Sequence, residues 1–491
     1  MTDQRTLLSG TAVNVAGLVA GVVAAYGVQV LVGRQLGAGG LGLVTVAVQV
    51  AFVAAAGSRF GMDLASVREV AISVGAGGAG HLRSLVHRCA LIAGAASILV
   101  AGLVAALSPL TGGNQATVAA AAVSIPFAAV ANTYLGATRG LKQMTPTLWV
   151  FWIGQPLAWI VAAVVVLAAG GHAEGVVLAY DASWAVAAIA ARALWLRASA
   201  GMGDLPAGRD VVSAAIRFGL PRAPSALLAQ ALFWIDLWVL DIYAGRAEVG
   251  TYAAVSRLAQ VILLFLTSVN LLFAPFAADL HARGQRDQLD ALFKAATRWA
   301  LAATLPVAIV LAVAPEQALR AFGPDFTGGG SALRIMLVGQ LINVATGSVG
   351  FVLIMVGRTG LDLLDNAIGV LLLAALAAPL ADSHGMEGAA LAAAASFAAV
   401  NLLRLAQVRT VVGVQPFDTG YLRLAVPAAG CAAAALLAHA AAGGSSWWAD
   451  LAATTAAGML AYLVLLPAGL PAADRSALQR ATRRITKRLP R

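Results

Sequence analysis

The chain has 491 residues, of which 60% are hydrophobic and only 11% charged. Soluble domains carry about 25% charged residues, so this composition excludes an ordinary soluble globule and fits an all-α, polytopic integral membrane protein. The net charge of +10 lies in short loops and the C-terminal tail, where topology and anionic lipid account for it without nucleic acid.

A spanning helix needs about 20 apolar residues. The first such stretch, residues 7–32, is longer than a signal-peptide core and is expected to remain as a helix. Further windows fall at 41–62, 87–108, 115–137, 148–170 and 174–196. After a polar stretch they resume at 219–243, 250–275, 297–318, 331–356, 361–382 and 387–408, and then at 421–442 and 446–468. That makes about 14 transmembrane helices. With the N-terminus inside, the inner loops and their edges hold Arg59, Arg68, Arg83, Arg88, Arg139, Arg192, Arg197, Arg283, Arg286, Arg298 and Arg358, while outer loops hold Arg34, Arg246 and Arg320. This positive-inside asymmetry predicts a multi-pass cell-membrane protein with both termini cytoplasmic. The loops 63–86 and 276–296 are amphipathic and read either as short surface helices or as solvated connectors. The tail beyond 470 is basic. Only 3 of the 32 basic residues are Lys, which reads as the coding bias of a G+C-rich bacterium.

Two internal echoes divide the chain. Leu36–Gly42 (LGAGGLG) matches Ala244–Gly250 (AGRAEVG), pairing Gly37 with Gly245 and Gly42 with Gly250 at an offset of 208. Glu174–Ala185 (EGVVLAYDASWA) matches Glu387–Ala398 (EGAALAAAASFA) at an offset of 213. Together they predict two parallel six-helix repeats plus two added helices. The expected domains are 1–205, 206–412, 413–470 and a cytoplasmic tail 471–491. Parallel repeats place a binding site between the halves and suggest alternating access.

Charges inside apolar windows are costly and mark candidate sites. Arg222 and Asp236 are 14 residues apart, so a continuous helix sets them within about 40° of one face and roughly 21 Å apart. Asp241 projects about 140° away from Asp236. Arg222 carries a guanidinium fork whose geometry matches phosphate oxygens; the bland alternative is snorkelling to inner headgroups. Asp236 would pair with Arg257, titrate during ion coupling, or serve as a structural cap. Asp241 is a second ion-coupling candidate. Arg34 and Arg334 could line the cavity, or anchor at the interface.

Several motifs resemble those of Wzx-type polysaccharide flippases of the MOP exporter superfamily, which also holds the lipid II flippases and the MATE drug exporters. They are LVGRQLGAGGLGLVTVAVQ with FGMD, TRGLKQM, GLPRAPSAL, WIDLWVLDIYAGRAEVGTYAAVSRLA, FGPDF and NVATGSVGFVLIMVGRTG, in that order over residues 1–410. The resemblance implies helical halves around a central, cationic cavity. It implies a polyprenyl-diphosphate-linked sugar as substrate, moved from the inner to the outer leaflet, with other polysaccharide-assembly membrane proteins as partners. Asp236 matches the family's acidic position, whereas Asp241 stands where the family more often has a small or apolar residue.

Catalytic signals are absent. None of Lys142, Lys294 and Lys487 is followed by Ser or Thr, so no Walker A loop exists, and there is no HExxH, CxxC or DxD. Cys89 and Cys431 lack any metal or disulfide spacing. The expectation is a transporter, not an enzyme, without cofactor or metal. An ion-coupled multidrug or organic-cation antiporter is the alternative in the same superfamily. A membrane polysaccharide polymerase or glycosyltransferase is the alternative of another class.

Overall fold

The computed structural model describes residues 2–75, 79–141, 143–203, 205–219, 222–356, 358–443, 445–472 and 474–475. Every regular element among them is helical, as lipid requires of chains that must satisfy their own backbone groups. Large apolar side chains such as Leu99, Ile189, Leu371 and Leu437 are 70–77% exposed, a surface suited to acyl chains and not to water.

Nine helices among the described residues are long and apolar enough to cross a membrane, or eleven if two bent pairs each count as one span. Two of the nine contain more than one crossing. Thr2–Ser58 has 57 residues and would run about 86 Å if straight, against a hydrocarbon core of about 30 Å. It folds back at Gly37, whose φ of 68° and ψ of −175° leave the helical region. The Thr45 hydroxyl then donates to Gln29 Oε1 at 3.1 Å, a contact that residues 16 apart reach only when the chain reverses. Thr359–Gln407 reverses likewise at Gly385. Arg404 reaches Asp362 at 3.0 Å, and Gln407 reaches Asp365 at 2.7 Å. Counting these arms separately is consistent with about 14 spans.

Other spans are broken where straight helices are expected. Arg246–Val261 and Leu263–Asn270 meet at 44°, and Pro324–Thr346 and Val349–Met355 at 40°. The second break falls at Gly347, and the Ser348 hydroxyl beside it donates to Asn270. The window 219–243 is not one helix. It consists of Arg209–Gly219, Arg222–Ala231 and Ile235–Tyr243, so the expected continuous strip from Arg222 to Asp236 is interrupted. The turn at 232–234 separates the last two pieces.

The amphipathic loop 63–86 contains the helix Met62–Gly75. The loop 276–296 forms no separate surface helix. Its residues extend Leu263–Ala282 and Arg286–Val313, and Leu289 and Phe293 join a buried cluster with Phe273, Val352 and Val408. Their apolar stripe packs inside the protein.

The chain forms two compact units, 1–254 with 366–389, and 255–365 with 390–491. In the first, Ser124–Gly140 packs between Leu82–Leu107 and Ala173–Ala198. In the second, the antiparallel pair Ala425–Ala441 and Trp447–Gly469 packs on Arg286–Val313, and the Tyr462 hydroxyl donates to the Ala302 carbonyl at 2.7 Å. The buried Arg298 guanidinium binds Asp418 at 2.5 Å and Asp474 at 2.6 Å, fastening the chain on both sides of that pair. The tail after Arg475 lies outside the described residues.

Candidate transport site

The two loops that echo each other in sequence touch each other within the first unit. A Cβ on Gly250 would fall 1.7 Å from the Ala38 carbonyl oxygen, and one on Gly42 would fall 2.7 Å from the Arg246 carbonyl. Only two glycines allow the backbones this close. Gly42 and Gly250 are the two glycines aligned at the offset of 208.

Two polar contacts gather around that point. Asn114 donates to the Asp241 carboxylate. Glu248 accepts the Met386 N–H at 2.8 Å, capping the second arm of the hairpin that turns at Gly385. Helix ends from both sequence halves are therefore locked together at the side expected to face outward.

The other candidates are distributed as follows. Asp236 is 4% exposed, stands in the first turn of Ile235–Tyr243 and accepts the Tyr252 hydroxyl at 2.6 Å. Asp236 and Asp241 thus have separate partners. Arg34 is exposed. Arg257 is half-buried on Arg246–Val261 and belongs to the second unit. Arg334 is exposed, sits 3.5 Å from Glu316 and donates to the Ala312 carbonyl at 3.0 Å, the arrangement of a helix-end anchor. Arg222 opens the helix Arg222–Ala231, and its side chain lies outside the described residues.

Several charged groups escaped the sequence reading as site candidates. Arg59 pairs with Asp63 at 3.2 Å across a strained turn in which Phe60 takes φ 47°, a conformation bulky residues rarely hold. Gly61 in the same turn abuts the Gly219 carbonyl, with a built Cβ 2.4 Å away. Asp365 is fully buried and shares Arg404 with Asp362. Asp181 is buried at 5% exposure. The available signal was a lone carboxylate in an apolar window, at one of the positions where EGVVLAYDASWA departs from EGAALAAAASFA.

The comparisons accord with this geometry. A model of the polysaccharide biosynthesis protein family matches residues 7–277, and the MatE family model matches 221–380. The probable low-salt glycan biosynthesis flippase Agl15 of Haloferax volcanii is 22% identical over 183 residues, 37% of this chain. The match spans only 39% of that relative's length. Among solved structures, the lipid II flippase MurJ in an inward closed conformation superposes with a TM-score of 0.71 at 13% identity, covering 94% of this chain and 98% of that one. A MOP superfamily transporter from Pyrococcus furiosus gives 0.58 at 16% identity, covering 83% and 94%. An inward-facing multidrug resistance MATE transporter gives 0.59 at 13% identity, covering 80% and 98%. These likenesses establish the fold, and the family model covers more than half of the sequence. The chain belongs to the polysaccharide biosynthesis protein family.

Proposed function

We propose that the protein carries a polyprenyl-diphosphate-linked oligosaccharide from the inner to the outer leaflet of the cell membrane, for cell-surface polysaccharide synthesis. The two six-helix lobes, 1–205 and 206–412, alternate access to a cavity between them, and both termini are cytoplasmic. The observation that supports this best is the contact of the repeat mates Gly42 and Gly250. A seam between two matched loops can open and close, which a rocking transporter requires.

Arg222, Arg34 and Arg257 are the guanidinium groups we assign to the substrate path, where their planar forks suit phosphate oxygens. Asp236 and Asp241 are the acidic groups of the second half considered for ion coupling. The polysaccharide-assembly enzymes that make and consume the lipid-linked sugar are its functional partners. Depletion of the protein should accumulate lipid-linked sugar on the inner leaflet, and Arg222→Ala at normal protein level should abolish export. Unchanged lipid-linked sugar after depletion would refute the substrate assignment. The MatE match over 221–380 favours one second reading, an organic-cation antiporter. That reading predicts drug sensitivity on deletion without sugar-lipid accumulation.

A further inference from the structure

Among the described residues, Asp181 alone has both carboxylate oxygens buried without a hydrogen-bond partner. It is the ninth residue of Ala173–Ala198, about 12 Å from the start of that helix and about 26 Å from its end. Both distances place it at lipid depth. The neighbouring span Gln115–Gly140 runs through a tight turn at the same level, where Ala122 and Val123 keep helical angles between Gln115–Ala121 and Ser124–Gly140. Pro126 accounts for the turn, since it offers no N–H and its ring crowds the carbonyl four residues earlier. The backbone N–H of Ser124, at the head of the second piece, lies toward Asp181 without making a hydrogen bond to it. The Ser124 hydroxyl is engaged elsewhere, donating to the Ala121 carbonyl at 2.7 Å.

Among the described residues no cation pairs with this carboxylate. The elements packed against its helix are Thr2–Ser58, Gln115–Ala121, Ser124–Gly140, Leu148–Gly154 and Gln155–Ala168. Their described titratable side chains are Tyr26, Arg34, Tyr134 and Arg139, and its own helix adds Glu174, Tyr180, Arg192 and Arg197. None of these pairs with Asp181, and the group that acts on it is the Ser124 backbone. The repeat supplies a contrast. At an offset of 213 the mate of Asp181 is Ala394, where a Cβ on Gly339 would lie 2.6 Å from the Ala394 Cα. One half keeps a carboxylate beside a tight helical turn, and the other closes the equivalent position by tight packing.

An ionised carboxylate with no partner is too costly at this depth to persist alone. With no second carboxylate beside it, a proton is the cation it is built to take. We infer that Asp181, beside the tight turn at Ser124, carries the coupling proton of the transport cycle. Uptake forms one carboxyl O–H bond from water on one face. Release returns that proton to water on the other face and leaves a carboxylate drawn toward the Ser124 N–H. The charge state of Asp181 thereby biases the fit of the span Gln115–Gly140 against Ala173–Ala198. Asp236 and Asp241, already held by Tyr252 and Asn114, are less suited to this role. The inference rests on the transport reading.

The test uses the full-length protein in liposomes, with Asp181→Asn and Asp181→Glu beside the native protein. Infrared difference spectra over a pH titration should show a protonated-carboxyl band that vanishes in Asp181→Asn. A fluorescent polyprenyl-diphosphate-linked sugar should redistribute about tenfold per imposed pH unit for one coupled proton, and Asp181→Asn should remove that response while thermal stability is kept. Asp181→Glu should restore part of it. An infrared band unchanged in Asp181→Asn, or redistribution that follows a sodium gradient and ignores pH, overturns the inference. If the band is lost in Asp181→Asn but the labelled lipid never moves, the proton site stands and the substrate assignment falls.

Discussion

Replacing Gly250 by Ala should force apart the two loops that meet at Gly42. The added methyl would sit 1.7 Å from the Ala38 carbonyl oxygen, whereas ordinary contact begins at 3.4 Å. The loops must therefore separate by about 1.7 Å, and the obstacle is backbone, which cannot rotate away. Overpacking of this kind costs about 1–3 kcal/mol, so the state with the seam closed should lose roughly 5- to 150-fold in relative population. Ala38 is 4% exposed, so a cysteine there reports the seam. Ala38→Cys should resist an impermeant maleimide in the native background and react readily beside Gly250→Ala. The native Cys89 and Cys431 are buried and contribute little background. Gly42→Ala should act in the same direction but less, because its Cβ meets the Arg246 carbonyl at 2.7 Å. Gly245→Ala should do nothing, having open space around it. Equal labelling in Gly250→Ala and Gly245→Ala, with both folded, would refute the reasoning.

Other outcomes follow from buried polar contacts. Asp365→Ala leaves the Arg404 guanidinium short of a buried partner and should destabilise by about 3–5 kcal/mol, read as a lower thermal midpoint in detergent; Asp365→Asn should cost less. Tyr252→Phe removes the hydroxyl that Asp236 accepts and should cost about 1–3 kcal/mol by the same assay. Thr45→Val breaks the contact with Gln29 across the first hairpin and should cost about 1 kcal/mol. Arg298→Ala unfastens Asp418 and Asp474, so limited proteolysis should cut near 415–420 faster than in the native protein; an unchanged rate would mean the ion pairs do not hold that segment.

The membrane class and the helix pairs were legible because hydrophobic windows report directly on the length of chain that lipid must cover. The echo of Gly42 in Gly250 was legible too, as a match at one offset. That these glycines touch, and that their seam is closed by backbone, was not legible, because periodicity carries no distance between segments. The strip from Arg222 to Asp236 failed for a related reason. Helical geometry extrapolates only along unbroken helix, and the chain breaks at 232–234, between Arg222 and Asp236.

Asp181 marks the boundary between the two kinds of information. From the sequence alone it is one acid in an apolar window, and the composition around it determines that it lies at lipid depth. Whether such a carboxylate is paired depends on what neighbouring helices present at its level. Tertiary structure decided that: it set Asp181 beside the tight turn at Ser124 with no cation paired to it among the described residues, set Asp236 against Tyr252, and set Asp365 against Arg404. Burial follows from local hydrophobicity, but charge compensation is a property of distances between segments far apart in the chain.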